Sequence, residues 1–252
     1  MRAFVLSSGS RGNTTYIECG ETKILIDIGN SCKYVSDSLN KIGVKAEEID
    51  AILITHTHVD HVKGLKVFAK KYKTNIYMTE KMREELDYVE NYTYIDKSVI
   101  DIKDIRVNVI KTSHDVSSSV GYVIEGDNKG IVYITDTGYI NNKYFELLEN
   151  RDVYIMESNH DIEMLNNGPY SFQLRQRILG DKGHLSNYDS ARYLSKFMGD
   201  KTKTIVLAHL SEENNTEQIA YSTLKERLDN NSQVVEKILI AKQNVPTEEI
   251  LV

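Results

Sequence analysis

The stretch ITHTHVDHVKG (54–64) sets His56, His58, Asp60 and His61 within six positions, directly behind the apolar run AILIT (51–55). Imidazole and carboxylate donors together suit zinc, manganese or iron, and the absence of a nearby cysteine argues against a closed, purely structural zinc site. In a tight loop after a strand, His56 and His58 can point one way while Asp60 and His61 address a second point. A second metal needs more donors, and three stand where β-type runs end: His114 after VNVIKTS, Asp136 after GIVYIT and His209 after TIVLA. Two metals about 3.5–4 Å apart lower the pKa of a shared water and clamp a tetrahedral or in-line transition state, with a bridging hydroxide as nucleophile. Asp60 is placed to orient that water or take its proton. Esters, lactams and phosphodiesters are all open to this chemistry.

The chain has seven histidines, and two of them repeat a triplet: His184-Leu-Ser in KGHLSN and His209-Leu-Ser in AHLSEENN. His184 sits between a glycine turn and the start of a helix, where it is either a chemical group or a cap. MESNHD supplies Glu157, Asn159 and His160 upstream.

Elements that position these residues are legible from periodicity. Strands are expected at 3–6, 14–18, 23–29, 51–55, 105–112, 118–125, 130–136, 152–157, 204–209 and 236–241. Helices are expected at 32–42, 63–72, 80–86, about 141–148, 189–197 and 216–228. Strands and helices alternate twice over without a repeat or a low-complexity linker. The expected architecture is α/β, with two sheets packed together and helices outside, in one domain over residues 1–252.

Forty per cent apolar residues and two prolines describe an ordinary globular chain. No apolar run is long enough for a signal peptide or a membrane span. Cys19 and Cys32 are read as reduced thiols, which implies a cytoplasmic protein. A formal charge of −6 argues against a protein that coats nucleic acid, but two bound divalent ions would reverse the potential locally. Oligomeric state is not legible.

Taken together, HxHxDH, His114, Asp136 and His209 resemble the metallo-β-lactamase-fold hydrolases over essentially the whole chain. The resemblance implies an αββα four-layer sandwich with two metals at one sheet edge. The first metal would take His56, His58 and His114; the second would take Asp60, His61 and His209; Asp136 would bridge them. Asp27, in LIDIG, would support the HxHxDH loop from beneath. Two divalent ions are implied, zinc, manganese or iron, with manganese or zinc favoured.

His114 lies in TSHDVSSSVGY, where thioesterases of this fold carry a TPGHTPG-like turn, so the chain is more similar to the phosphodiesterase and tRNA-maturation branch. In that branch a GHS-type turn precedes the strand bearing the last ligand, which implies that His184, held by Glu157, faces the scissile phosphate. SSGSRGNTTYIE, ESNHD, GHLSN and AHLSEENN together resemble the WalJ/YycJ (VicX) group, which implies a metal-dependent 5′→3′ exonuclease on double-stranded DNA, linked to DNA repair. Ser171, in NGPYSFQLRQRI, departs from that group, which is expected to have a proline after the tyrosine.

Only 73 residues separate Asp136 from His209, too few for the β-CASP domain inserted in larger RNA-processing relatives. Residues 159–183 therefore read as a lid or substrate-side insert. Its Arg175, Arg177 and Lys182, with Tyr170 and Phe172, are candidate DNA contacts or a plain solvated face. Asn159 and His160 are candidate substrate contacts. So are Ser10 and Asn13 in SSGSRGN, whose glycines a hairpin turn explains equally well. Two alternatives stay open: a small-molecule hydrolase for a cyclic phosphodiester, lactone or thioester, and a regulatory binding protein with a relic metal site.

Overall fold

A computed structural model describes residues 1–95 and 98–252. Its first sheet contains β1 (Arg2–Ser7), β2 (Thr14–Cys19), β3 (Thr22–Ile26), β4 (Ala51–Leu53), β5 (Asn75–Met78) and β6 (Tyr92–Tyr94). The second contains β7 (Val99–Ile102), β8 (Ile105–Lys111), β9 (Val120–Gly126), β10 (Lys129–Ile134), β11 (Val153–Glu157), β12 (Thr204–Ala208) and β13 (Lys237–Ile240). A last strand, β14 (Ile250–Leu251), returns to pair with β1 at the edge of the first sheet. Each sheet begins antiparallel and turns parallel: β3 to β6 are parallel in the first, and β10 to β13 in the second.

Parallel neighbours need crossover connections, and the helices supply them. They are α1 (Cys32–Lys41), α2 (Val59–Val62), α3 (Leu65–Tyr72), α4 (Glu80–Glu85), α5 (Phe145–Leu148), α6 (Ile162–Asn167), α7 (Phe172–Leu179), α8 (Asn187–Phe197) and α9 (Glu217–Asn230). Side chains alternate faces along a strand. Thus Ile131, Tyr133, Val153, Ile155 and Val206 fill the core shared with the first sheet, while Val132, Ile134, Tyr154, Met156 and Leu207 meet α5, α8 and α9. The layers run helix, sheet, sheet, helix, as expected.

Three of the expected strands stop short for one shared reason. Asp27, Asp136 and His209 adopt left-handed backbone, with φ of 59°, 56° and 55°, so each leaves its strand at a sharp turn. Asp60 and His61 lie in the single turn α2 rather than in an irregular loop. Gly29 permits this, because a Cβ there would sit 1.7 Å from the Asp60 carbonyl oxygen. Strands β5, β6, β7 and β14 were not expected from the sequence. Nor were α6 and α7, which are short, six and eight residues; no residue of α7 is buried. Ser171 has a use there: it is the N-cap of α7 and its hydroxyl accepts from Leu174 N–H, which proline could not do.

Candidate metal centre

Both sheets present the carboxyl ends of their strands to one edge, where ligands collect in α/β folds. The first sheet delivers Asp27 after β3 and His56, His58, Asp60 and His61 after β4; the second delivers His114, Asp136 and His209 after β8, β10 and β12, and Glu157 as the last residue of β11. His184 comes from the turn before α8.

Donor atoms of His56, His58 and His114 lie within 4.8 Å of one another, and so do those of Asp60, His61 and His209. Asp136 joins His56 and His61 in one overlapping group, and Glu157, His184 and His209 in another. The expected donors are therefore brought together, with Asp136 between the two sets.

Outer contacts aim the rings inward. Asp27 is fully buried and accepts from Thr55 N–H (2.8 Å), the Thr55 hydroxyl (2.7 Å) and His61 Nδ1 (2.7 Å), leaving His61 Nε2 toward Asp136 at 3.2 Å. Thr55 Oγ1 also contacts His56 Nδ1 at 3.1 Å. His114 Nδ1 donates to Gly183 O (3.2 Å), and His209 Nδ1 to Glu157 Oε1 (3.1 Å). His209 N–H donates to Ser8 Oγ at 2.7 Å. Such contacts fix tautomer and orientation in metal-ligating histidines.

A divalent cation fits this arrangement on the structure's own terms. His56 Nε2, His209 Nε2 and Asp136 Oδ2 are buried yet have no hydrogen-bond partner, and all three belong to the cluster. Buried polar atoms without partners are costly and rare. The cluster's own charges partly compensate. Burial raises Asp136, but His209 and His61 outweigh it and hold the carboxylate well below its usual range. Adding manganese or zinc to chelated protein is expected to raise Tm by roughly 5–10 °C, the shift that ligand at a hundredfold excess over Kd gives a chain of this size. A Tm indifferent to metal and chelator would refute the site.

His184 is not a cap. Ser186 caps α8 instead, accepting from Asp189 N–H at 3.0 Å, while His184 Nδ1 lies 2.7 Å from Glu157 Oε1. The fully buried Glu157 also accepts from Thr137 and Leu185 N–H groups through Oε2. Burial opposes its charge, yet His184 and His209 pull it down to about 2. Burial lowers His184 in turn, but Glu157 and Asp136 prevail and hold the imidazolium above the ordinary histidine range.

A cavity of about 320 Å³ opens over the cluster, lined by His58, Asp60, His114, Asp136, His184 and His209. Among the candidate contacts, Ser10, Asn159, Tyr170, Arg177 and Lys182 line it. Four others do not, one of them the exposed Phe172. Asn13 is buried, and its side chain bonds Gly9 and Asp60 and approaches His61 Nε2 at 2.9 Å, so it props up the α2 turn. His160 is 1% exposed and its carbonyl accepts from Asn187 N–H, which ties the start of α8. Arg175 turns away to the Asn166 carbonyl. The N–H groups of Gly9, Arg11, Gly12 and Asn13 are all bonded internally, so SSGSRGN acts as a turn rather than an anion cradle.

Sequence reasoning missed Asp115. Its carboxylate lies 3.5 Å from His114 Nε2 and pairs with Arg177, pinning α7 to the His114 loop. Its position next to His114 was the available signal. Thr55, also missed, was visible only as the last residue of the apolar run.

Solved structures share this fold. The metallo-β-lactamase-fold protein YhfI from Bacillus subtilis superposes with a TM-score of 0.71 at 19% identity, covering 99% of both chains. Residues 22–210 match the Beta-lactamase superfamily domain. The chain belongs to the metallo-β-lactamase superfamily and, within it, to the WalJ/YycJ group. It is 40% identical over 233 residues to exodeoxyribonuclease WalJ of Streptococcus pneumoniae serotype 2 (strain D39 / NCTC 7466), covering 89% of this chain and 87% of that one. Exodeoxyribonuclease YycJ of Bacillus anthracis is 36% identical over 232 residues, with 89% and 88% covered.

Proposed function

We propose that this chain is a two-metal phosphodiesterase that degrades double-stranded DNA from a 5′ end; the names of its exodeoxyribonuclease relatives support the exonuclease reading, and the duplex and the polarity rest on the resemblance drawn from the sequence. The observation that carries the hydrolytic reading is the pair of donor sets joined through Asp136, with His184 held over them by Glu157. His56, His58 and His114 would hold one divalent ion, Asp60, His61 and His209 the other, and Asp136 both. When bound, such ions supply Lewis acidity toward phosphate and a water acidic enough to attack at neutral pH.

The chain's own groups do the rest. Asp60 orients the attacking water and accepts its proton. His184, kept charged by Glu157, faces the scissile phosphate, where it stabilises developing negative charge and protonates the leaving oxygen. Lys182 and Arg177 meet the substrate's phosphates from the cavity wall. Residues 159–183 act as the substrate-side insert: Tyr170, Leu174, Arg177 and Ile178 close one side of the cavity, which favours a chain end over a continuous duplex.

One observation favours a small phosphodiester instead, namely the modest volume of the cavity, about 320 Å³. The two readings separate in a paired assay with manganese and then zinc, using 5′-phosphorylated end-labelled duplex DNA and bis-p-nitrophenyl phosphate. Progressive release of nucleotides from the 5′ end is expected. Cleavage of the small diester with DNA left intact would overturn the exonuclease reading.

Both cysteines are free and buried. Among the described residues no helix is long and apolar enough to cross a membrane.

A further inference from the structure

A second depression, about 800 Å³, lies beside the metal cavity and shares His114 and Lys182 with it. Among the described residues its lining carries Lys81, Lys111, Lys143 and Lys182 against one acid, Glu80. The metal cavity is the reverse, with Asp60, Asp115, Asp136, Glu212 and Glu213 against Arg177 and Lys182. Among the described residues none of the four lysines forms an ion pair, whereas Lys23, Lys103, Lys129, Arg151 and Arg177 each do. Among the described residues, these four lysines set positive charge without an ion-pair partner along a path leading away from the cluster.

The floor of that path is rigid and already satisfied. Thr112 Oγ1 donates to Ser119 Oγ, Ser119 Oγ to Thr112 O, Thr79 Oγ1 to Ser118 Oγ, and Ser117 Oγ to Glu85. Lys111 N–H donates to the Tyr144 hydroxyl at 3.0 Å, which fastens the turn bearing Lys143 to β8. Lys81, Lys111 and Lys182 present ammoniums to the groove, and that of Lys143 lies over the Tyr144 ring, 4.8 Å from its centroid, a contact that leaves its charge unneutralised. They come from four separate places: α4, the end of β8, the turn before α5 and the loop before His184. Point charges spaced along a groove suit a chain of phosphates; a single phosphate is better held by convergent donors.

We infer that this groove carries the sugar–phosphate backbone of the DNA retained beyond the scissile bond, while the metal cavity takes the terminal nucleotide. The inference rests on the phosphodiesterase reading and adds the path of its substrate. Lysines 81, 111 and 143 then supply much of the salt-sensitive affinity, and Lys182 marks the junction of groove and cavity.

The test is equilibrium binding of a short, phosphorothioate-linked fluorescent duplex to manganese-loaded protein over a salt series. Lys111→Glu/Lys143→Glu is compared with wild type and with Lys33→Glu/Lys45→Glu, which changes the net charge equally in a different depression. The groove variant is expected to bind about tenfold or more weakly, with a slope of log affinity against log salt shallower by roughly 2. The control is expected to match wild type. Equal affinity and slope in all three proteins would overturn the groove. Weaker binding by the groove variant, in a protein that never releases nucleotides, would uphold the groove and defeat the exonuclease reading. A wild type that binds no DNA at any salt would defeat both.

Discussion

Replacing Asp136 by alanine is expected to abolish hydrolysis, lowering turnover by at least about a thousandfold, because metal assistance contributes several kcal/mol to such reactions. Its carboxylate reaches both donor sets: it lies 3.2 Å from His61 Nε2 and 3.5 Å from His209 Nε2 on one side, and 3.9 Å from His114 Nε2 on the other. Metal analysis should show less bound metal alongside the lost activity. The metal-induced rise in Tm should shrink with it. A variant that keeps both its metal and its rate would remove Asp136 from the centre of the site. Asp136→Asn makes a second, gentler comparison, since asparagine tolerates the left-handed backbone found here (φ 56°) better than alanine.

The next largest effect is expected at His184. His184→Ala should lower turnover by about 10²–10⁴, the range of a lost general acid, while metal content stays at the wild-type level. Glu157→Gln should differ from it in kind. Glu157 touches both His184 (2.7 Å) and His209 (3.1 Å), so its loss is expected to weaken metal affinity by about 10–100-fold as well as slow the reaction. The split between rate and metal content is what separates the two roles. Loss of metal in His184→Ala would instead make His184 a ligand within the group that it forms with Asp136, Glu157 and His209.

Much of this site could be read before the fold was known, and the parts that could not share a cause. HxHxDH is a continuous run, and His114, Asp136 and His209 each follow an apolar strand, so local pattern was enough to mark them as donors, while their meeting at one sheet edge was implied by the family resemblance. Depth is not local. Asn13 and His160 have the residue types of substrate contacts, but they lie beneath the site, one under α2 and the other under α8. The role of Ser186 follows from helix capping, which freed His184 for Glu157; the sequence favoured that pairing over a cap through the family resemblance. The lysine groove was out of reach because residues 81, 111, 143 and 182 are far apart in the chain and only the sheets bring them together. Helices α6 and α7 escaped because they are short, six and eight residues, and bury little beyond Leu165.

The cluster draws its donors from both sheets: Asp60 and His61 of the first meet Asp136 and His209 of the second. Neither half of the molecule can assemble a working centre alone. A chain emerging from synthesis, or one cut between its halves, would therefore be harmless to DNA until docking was complete. A destructive activity is in this way licensed by the finished fold, and metal capture becomes its final inspection. The same seam makes the ions an inter-sheet fastener, so amide exchange along β4 and β12 should slow in concert when metal is added.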